Sequence, residues 1–336
     1  MTASVLVVGG AGYIGSHMLK MLAGAGYATT VFDNLSLGHR DAVLSGEFLQ
    51  GDLLNHHDLD TLFQQRAFDV VMHFAAFCYV GESVTNPLMY YRNNVAGTVN
   101  LLEAMMKAGV DRFVFSSSCA IYGIPRNIPI TEEHPKNPIN PYGHTKLTVE
   151  NILADSAKAY DLQSISLRYF NAAGCDPEGR LGERHDPETH LIPLVLKEAQ
   201  RVRNGGKPED TTLRIFGTDF DTPDGTCIRD YIHVEDLCAA HLAATERLVN
   251  GKSHGAEAYN LGNGKGFSVK EVVETCRRVT GVDIRYTQVD RRYGDPPLLV
   301  GSSEKAKDVL VWTPKITSLE KIIETAWQWL NRGGNQ

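Results

Sequence analysis

Residues 8–15 read Val-Gly-Gly-Ala-Gly-Tyr-Ile-Gly, directly after the β-branched run SVLVV and at the head of a helix-like stretch near residues 13–25. A glycine pattern alone is weak evidence; between a strand and a helix it is the phosphate-cradling turn of a β-α-β unit. Gly10 and Gly12 let backbone N–H groups approach a pyrophosphate, the helix start adds partial positive charge, and Gly15 lets helix and sheet lie close. Gly9, Gly12, Tyr13, Ile14 and Gly15 are therefore expected to contact a dinucleotide. Asp33, followed by Asn34, ends the next strand 18 residues beyond Gly15, where a carboxylate bonds the adenosine ribose and repels a 2′-phosphate. NAD is expected over NADP, with His39 and Arg40 near enough in sequence to make the choice testable.

The rest of the first half keeps this rhythm. Strand-like runs at 4–8, 28–33, 47–52, 69–75, 112–117 and 164–170 alternate with helix-like stretches near 56–66, 86–109 and 141–160. Several runs are apolar at successive positions, as strands covered on both faces are. The fold class is α/β, a doubly wound parallel sheet (Rossmann) with a smaller C-terminal α/β substrate domain. Ligands of such sheets bind beyond the carboxyl ends of the strands. That directs attention to Asp52 and Leu53 after the third strand and to Phe74, Ala75 and Ala76 after the fourth, although Asp52 also suits ordinary turn chemistry. Beyond Asn171, residues 174–190, 203–210 and 217–226 are rich in Gly, Pro and charge and read as long loops. Helices are expected at 234–250, 269–280 and 318–331 and a strand at 258–261. The expected division is residues 1–176 for the dinucleotide, with 229–262 returning to it, and 177–228 with 263–336 for the substrate.

Composition narrows the function. With 33 Lys+Arg against 40 Asp+Glu the formal charge is −7, which argues against a general nucleic-acid or anionic-membrane binder. No apolar run approaches the roughly 18 residues of a membrane span, and the first strand begins too early for a signal peptide. The six cysteines never form C-x-x-C pairs, so they read as free thiols of a reducing cytoplasm. The histidines, including His185 and His233, lack metal-ligand spacing, and no metal is expected.

The stretch Asn140-Pro141-Tyr142-Gly143-His144-Thr145-Lys146 carries the chemistry. Asn140 can cap a helix whose first position suits Pro141, so Tyr142 and Lys146 share one face of its first turns. A free tyrosine, with a pKa of about 10, is a poor base at neutral pH. A neighbouring ammonium and a nicotinamide cation favour the phenolate. Ser118, after Ser116-Ser117 at the end of the fifth strand, can bond the same reacting oxygen, giving a Tyr/Ser/Lys relay.

At this point the chain closely resembles the extended short-chain dehydrogenase/reductase family and, within it, its nucleotide-sugar epimerases. The resemblance covers nearly the whole chain through GGAGYIGSH (9–17), FDNL (32–35), VGES (80–83), NNVAGT (93–98), FSSSCAIYG (115–123), PYGHTK (141–146), LRYFNAAG (167–174), RDYIHVEDL (229–237), YNLG (259–262) and RRYGDPP (291–297). It implies that Tyr142 takes the proton of a sugar 4-hydroxyl while tightly bound NAD accepts and returns a hydride. UDP-glucose and UDP-galactose would interconvert, with Lys146 holding the nicotinamide ribose and lowering the Tyr142 pKa. It places Asn94, Tyr169 and Phe170 at the nicotinamide end and Ser116 among the residues that bind the cofactor. Ser118, Tyr142, Asn171, His190, Leu191, Phe216, Arg229, Tyr231, Arg292, Asp295 and Leu299 fall around the UDP-sugar. Read without the family, Arg229-Asp230 is equally an internal ion pair and Arg291-Arg292 a solvated run. Cys78 stands where some members have lysine, and His190 where some have asparagine. Leu299 occupies the position that limits pocket width, which leaves 4-epimerisation of UDP-N-acetylglucosamine, UDP-xylose or UDP-glucuronate open. Dehydratases need a carboxylate where this chain has Cys119 and Ala120. The resemblance also implies a homodimer built on the helices near 86–109 and 141–160.

Overall fold

The structure, a computed structural model, describes residues 3–292 and 295–333. The six expected strands of the first half form as β1 (Ser4–Val8), β2 (Ala28–Asp33), β3 (Glu47–Gln50), β4 (Val70–His73), β5 (Arg112–Ser118) and β6 (Gln163–Tyr169). After β6 come β7 (Asn171–Ala173), β8 (Arg214–Phe216), β9 (Ile228–His233) and β10 (Ala256–Leu261). The last three are β11 (Gly266–Ser268), β12 (Thr287–Val289) and β13 (Leu298–Leu299). The main sheet has seven strands in the order β10-β6-β5-β4-β1-β2-β3. All its pairings are parallel. From β1 the strands are added outward first to one side (β2, β3) and then to the other (β4, β5, β6), and the crevice opens at that switch between β1 and β4.

The apolar runs have a simple cause. In β1, Val5 and Val7 face one buried cluster while Leu6 and Val8 face another, so no position is spare for a polar residue. The first cluster packs under α1 (Tyr13–Gly24), the second under α2 (His56–Gln65). The helix expected near 86–109 is interrupted. After α3 (Val80–Thr85), α4 (Pro87–Tyr90) passes through a π-helical turn, Tyr91–Ala96, into α5 (Gly97–Lys107). Within that wider turn Asn94 points inward: its Oδ1 accepts from Phe77 N at 2.9 Å and its Nδ2 donates to Phe77 O at 3.0 Å. Side-chain insertion of this kind is a known setting for a π-turn.

The helix α6 (Pro141–Tyr160) begins where expected because Asn140 Oδ1 accepts from Gly143 N at 2.8 Å. A buried network then fixes it to the sheet. Arg168 on β6 donates Nε to Glu150 Oε1 at 2.9 Å and Nη2 to Glu150 Oε2 at 2.7 Å. Its Nη1 reaches the Tyr122 hydroxyl at 2.8 Å, and Ser117 on β5 donates to Glu150 Oε1 at 2.6 Å.

The remaining helices are α7 (Leu191–Arg203), α8 (Val234–Val249), α9 (Val269–Thr280), α10 (Glu304–Leu310) and α11 (Leu319–Asn331). α8 and α10 cover the first face of the main sheet. α7, α9 and α11 enclose a third apolar cluster of their own, with Val195, Ile215, Val272 and Ile322 fully or nearly fully buried. The four-stranded sheet of β7, β9, β11 and β13 and the pair β8–β12 lie in this later part. Among the described residues no helix is long and apolar enough to cross a membrane, and all six cysteines are unpaired.

Removing Arg168 leaves Glu150 charged and buried with only part of its hydrogen bonding. Arg168→Met is expected to lower unfolding stability by about 3–5 kcal/mol, measured by denaturant titration. A loss below about 1 kcal/mol, typical of exposed pairs, would show that the network does not fasten α6.

Candidate active site

A cleft of about 1730 Å³ runs along the carboxyl ends of the strands. A site for one drug-sized ligand measures ~300–1,000 Å³, so this space fits two bound molecules end to end. At the crevice a side chain at position 9 has nowhere to go: a Cβ there falls 2.4 Å from Ala75 N, and φ is +80°. A Cβ on Gly15 falls 2.2 Å from Gly9 O, so the first turn of α1 lies directly on the glycine turn. This leaves the backbone of Gly12, Tyr13 and Ile14 as one wall of the cleft.

Asp33 sits next along that wall, its Oδ2 accepting from Ala11 N at 2.9 Å and its Oδ1 from Leu35 N at 2.8 Å. Burial raises its carboxyl pKa, and these two N–H groups work the other way. Arg40 does not approach it; its guanidinium lies 4.4 Å above the Phe48 ring. Arg40 is therefore not aimed at a 2′-phosphate, whereas His39 lies close enough to Asp33 to act on its charge. Asn34 donates to Asp52 Oδ2 at 3.0 Å, and Asp52 Oδ1 accepts from Leu54 N at 2.8 Å. Asp52 thus performs its turn chemistry and also borders the cleft, beside Leu53. Phe74, Ala75 and Ala76 form the opposite side. The Tyr13 hydroxyl is committed to Gly174 O at 2.5 Å.

Tyr142 and Lys146 meet the end of β5 at the centre of the cleft. Lys146 Nζ donates to Ser116 O at 2.7 Å and lies 5.8 Å from the Tyr142 ring centroid. Burial pushes its ammonium down to about 8. One of its three N–H groups is used by Ser116, leaving two for a ligand. Burial raises the Tyr142 phenol well above its ordinary value; the Ser118 hydroxyl is a neighbour that opposes this. Desolvation is the largest cause of the Tyr142 shift in the chain by itself. Ser116 and Tyr169 share a hydrogen bond between their hydroxyls.

Beyond this centre the cleft continues past Phe170 and Asn171 to Arg229, Arg292, Asp295 and Leu299. Asn171 Nδ2 donates to Asp230 O at 2.9 Å, leaving its second amide hydrogen. Arg229 donates to Pro296 O at 2.9 Å and meets Asp295 Oδ1 at 3.3 Å. The alternative Arg229–Asp230 pair is not formed: Asp230 accepts from the backbone N–H groups of Asn263, Gly264 and Gly301 instead. Arg292 covers the Phe216 ring at 3.8 Å, while Arg291 pairs with Asp219 at 2.6 Å.

Four expected site residues do not line the cleft. Asn94 stands one layer behind it, its amide spent on Phe77 and on Thr145 Oγ1 at 3.2 Å. Tyr231 is 5% exposed within the cluster under α7, on the covered face of β9. Leu191 packs on the same cluster, and Leu194, one turn later, borders the cleft. Phe216 lies behind Arg292. Missing from the sequence reading were Glu183, His185 and Glu188, which also line the cleft beside His190. Their ligand atoms and that of His190 lie within 4.8 Å of one another, a grouping in space that the sequence spacing of His185 did not reveal. The signal was the alternation of acid and imidazole in GERHDPETH, read there only as loop.

The model of the NAD dependent epimerase/dehydratase family matches residues 5–262. A UDP-glucose 4-epimerase of Halalkalibacterium halodurans is 51% identical over 97% of this chain and 95% of its own. The crystal structure of UDP-glucose 4-epimerase from Brucella ovis in complex with NAD aligns with a TM-score of 0.91 at 49% identity, covering 97% of this chain and 98% of that one. That of Bifidobacterium longum, in complex with NAD+ and UDP, aligns at 0.91 with 35% identity over 99% of both chains.

The single carboxylate beside the glycine turn gives a direct prediction. Asp33→Ala is expected to reduce the preference for NAD over NADP by about 10–100-fold, the worth of one charged hydrogen bond, in titrations of cofactor-stripped protein. An unchanged ratio contradicts the assignment.

Proposed function

The chain belongs to the NAD dependent epimerase/dehydratase family, and on that footing we propose that it interconverts UDP-glucose and UDP-galactose by inversion at carbon 4. The observation that carries this reading is the convergence of Tyr142, Lys146 and Ser118 midway along one cleft, with the Gly9–Gly15 turn at one end and Arg229 and Arg292 at the other.

The dinucleotide end fits NAD: glycine backbone, a fixed carboxylate, and Arg40 turned away onto Phe48. When bound, NAD supplies a hydride acceptor that also returns the hydride, together with a positive charge near the phenol. The residues of this chain do the rest. Tyr13 and Ile14 offer backbone N–H groups to the pyrophosphate, Gly12, whose N–H closes the turn on Gly9 O at 3.3 Å, allows its close approach, and Asp33 accepts from the ribose hydroxyls. Lys146 holds the nicotinamide ribose through its two remaining N–H groups. Tyr142 removes the proton from the sugar 4-hydroxyl, and Ser118 bonds the same oxygen. A positive charge close by offsets the burial that raises the phenol, at about 1.4 kcal/mol for each pKa unit. The resulting 4-keto sugar turns over in the cleft, and Tyr142 gives the proton back. Arg229 and Arg292 hold the diphosphate bidentately, Asn171 adds one amide hydrogen, and Asp295 orients Arg229.

Dehydration is disfavoured because the positions after Ser118 hold no usable acid or base. Burial raises the Cys119 thiol to about 12, and Ala120 has no proton to give. The width of the sugar pocket is set at Leu299, against Phe170, Ile121 and Tyr122. We further assign residues 1–176 with 229–262 to dinucleotide binding and 177–228 with 263–336 to the nucleotide sugar. A cytoplasmic location follows from six unpaired thiols. A homodimer through α4, α5 and α6 is supported by exposed apolar residues beside them: Leu88 is 77% exposed and Val84 61%.

Tyr142→Phe is expected to keep NAD bound while kcat for UDP-galactose formation falls about 10²–10⁴-fold, the range for a lost general base. Full activity in that variant contradicts the mechanism. Assay without added NAD of UDP-glucose, UDP-N-acetylglucosamine, UDP-xylose and UDP-glucuronate defines the pocket. Light scattering is expected to give twice the chain mass; a monomer overturns the dimer assignment.

A further inference from the structure

Glu183, His185, Glu188 and His190 lie on one short loop at the edge of the cleft and turn their side chains toward a common point. Each offers one ligand atom, and the four atoms lie within 4.8 Å of one another. His185 Nδ1 is 3.0 Å and His190 Nδ1 2.8 Å from Glu183 Oε1. His190 Nδ1 is 3.1 Å from Glu188 Oε1, and His185 Nδ1 is 3.9 Å from Glu188 Oε2. Four ligands on ~2.1 Å bonds at the corners of a tetrahedron stand about 3.4 Å apart, within the span of these separations.

Hydrogen bonding within the protein does not account for the whole cluster. Glu188 Oε1 accepts from the backbone N–H groups of Thr189 at 2.8 Å and His190 at 2.9 Å. Its other oxygen, Oε2, has no partner, although the side chain is only 3% exposed. An uncompensated carboxylate oxygen in such surroundings is costly, and native structures rarely leave one. The rings of Tyr13 and Tyr79 stand edge-on to His185 at 6.4 and 6.0 Å and wall off one side. Two carboxylates this close require about two positive charges. A divalent cation supplies both, leaves the imidazoles neutral as ligands, and gives Oε2 its missing partner.

We propose that this loop binds one divalent transition-metal ion through Glu183, His185, Glu188 and His190. Zinc is the ion whose four-coordinate preference matches a set of two imidazoles and two carboxylates. Four protein ligands leave no open position, so the role is structural. The ion fixes His190 and its loop along the cleft beside Tyr13 and Tyr79, and this assignment does not depend on the reaction proposed above.

The test uses the full chain with its dinucleotide retained, freed of metal by dialysis against a chelator and titrated with zinc ion alone. The expected result is one saturable equivalent per chain by calorimetry and elemental analysis. Cobalt(II) in its place is expected to show the intense visible absorption of a four-coordinate site. Glu188→Gln and His185→Gln are each expected to weaken binding at least tenfold, with retained dinucleotide reporting that the variant has folded. Absence of a saturable equivalent in the unaltered protein overturns the proposal, as does a weak six-coordinate cobalt spectrum. Undiminished binding in both variants also overturns it, because the ion would then sit on other histidines. Should a variant lose its dinucleotide, the unaltered protein's titration and cobalt spectrum decide the matter.

Discussion

The position of one helix relative to one strand end governs the proposed chemistry of this chain. Tyr142 and Lys146 ride on α6, Ser116 and Ser118 on β5, and the two elements are joined through the buried Arg168–Glu150–Ser117 network. Lys146 adds a second tie by donating to Ser116 O. The network lies a full turn beyond Lys146, so it anchors the helix without occupying the cleft. A buried ion pair is weak evidence for stability, but as a device that sets the register of a helix it has a clear use. An error of about 1 Å in such a group can reduce rate about a hundredfold.

The electrostatics of the cleft divide the work between polypeptide and ligand. Burial alone pushes the phenol of Tyr142 up and the ammonium of Lys146 down, so each group is held closer to its neutral form. In the proposed reaction a positive charge beside the phenol would offset this burial and favour its ionised form. Bound NAD would supply such a charge, with Lys146 holding its ribose and Tyr142 taking and returning the proton of the sugar hydroxyl. At the far end Arg229 and Arg292 rest on Asp295, Pro296 O and the Phe216 ring. These contacts hold two guanidinium groups at the cleft in a chain of net charge −7.

The legible parts of the sequence were those where local chemistry and fold agree. The strand apolarity of 4–8, the glycine turn, Asp33 and the Asn140-Pro141 helix start each follow from one physical requirement, and each element stands where it was expected. The helix near 86–109 was read as continuous because its apolar spacing is continuous; the π-turn arises from Asn94 bonding Phe77, a contact that no periodicity encodes. α7 was missed because it follows directly on a loop rich in Gly, Pro and charge. Tyr231 and Asn94 show the limit of transfer by motif: both sit in matching segments, yet their side chains face a core or a neighbouring backbone. The acid–imidazole cluster at 183–190 was hidden because ligand spacing on a loop has no fixed period.

The claim at the centre of this account is that the hydrogen removed from carbon 4 never leaves the cleft. It is tested by converting UDP-glucose carrying deuterium at carbon 4 in ordinary water and measuring the label in the product by mass spectrometry. The account requires UDP-galactose that keeps its deuterium at carbon 4. Replacement of the label by solvent hydrogen would mean that the carbon is deprotonated, and the hydride mechanism would be wrong.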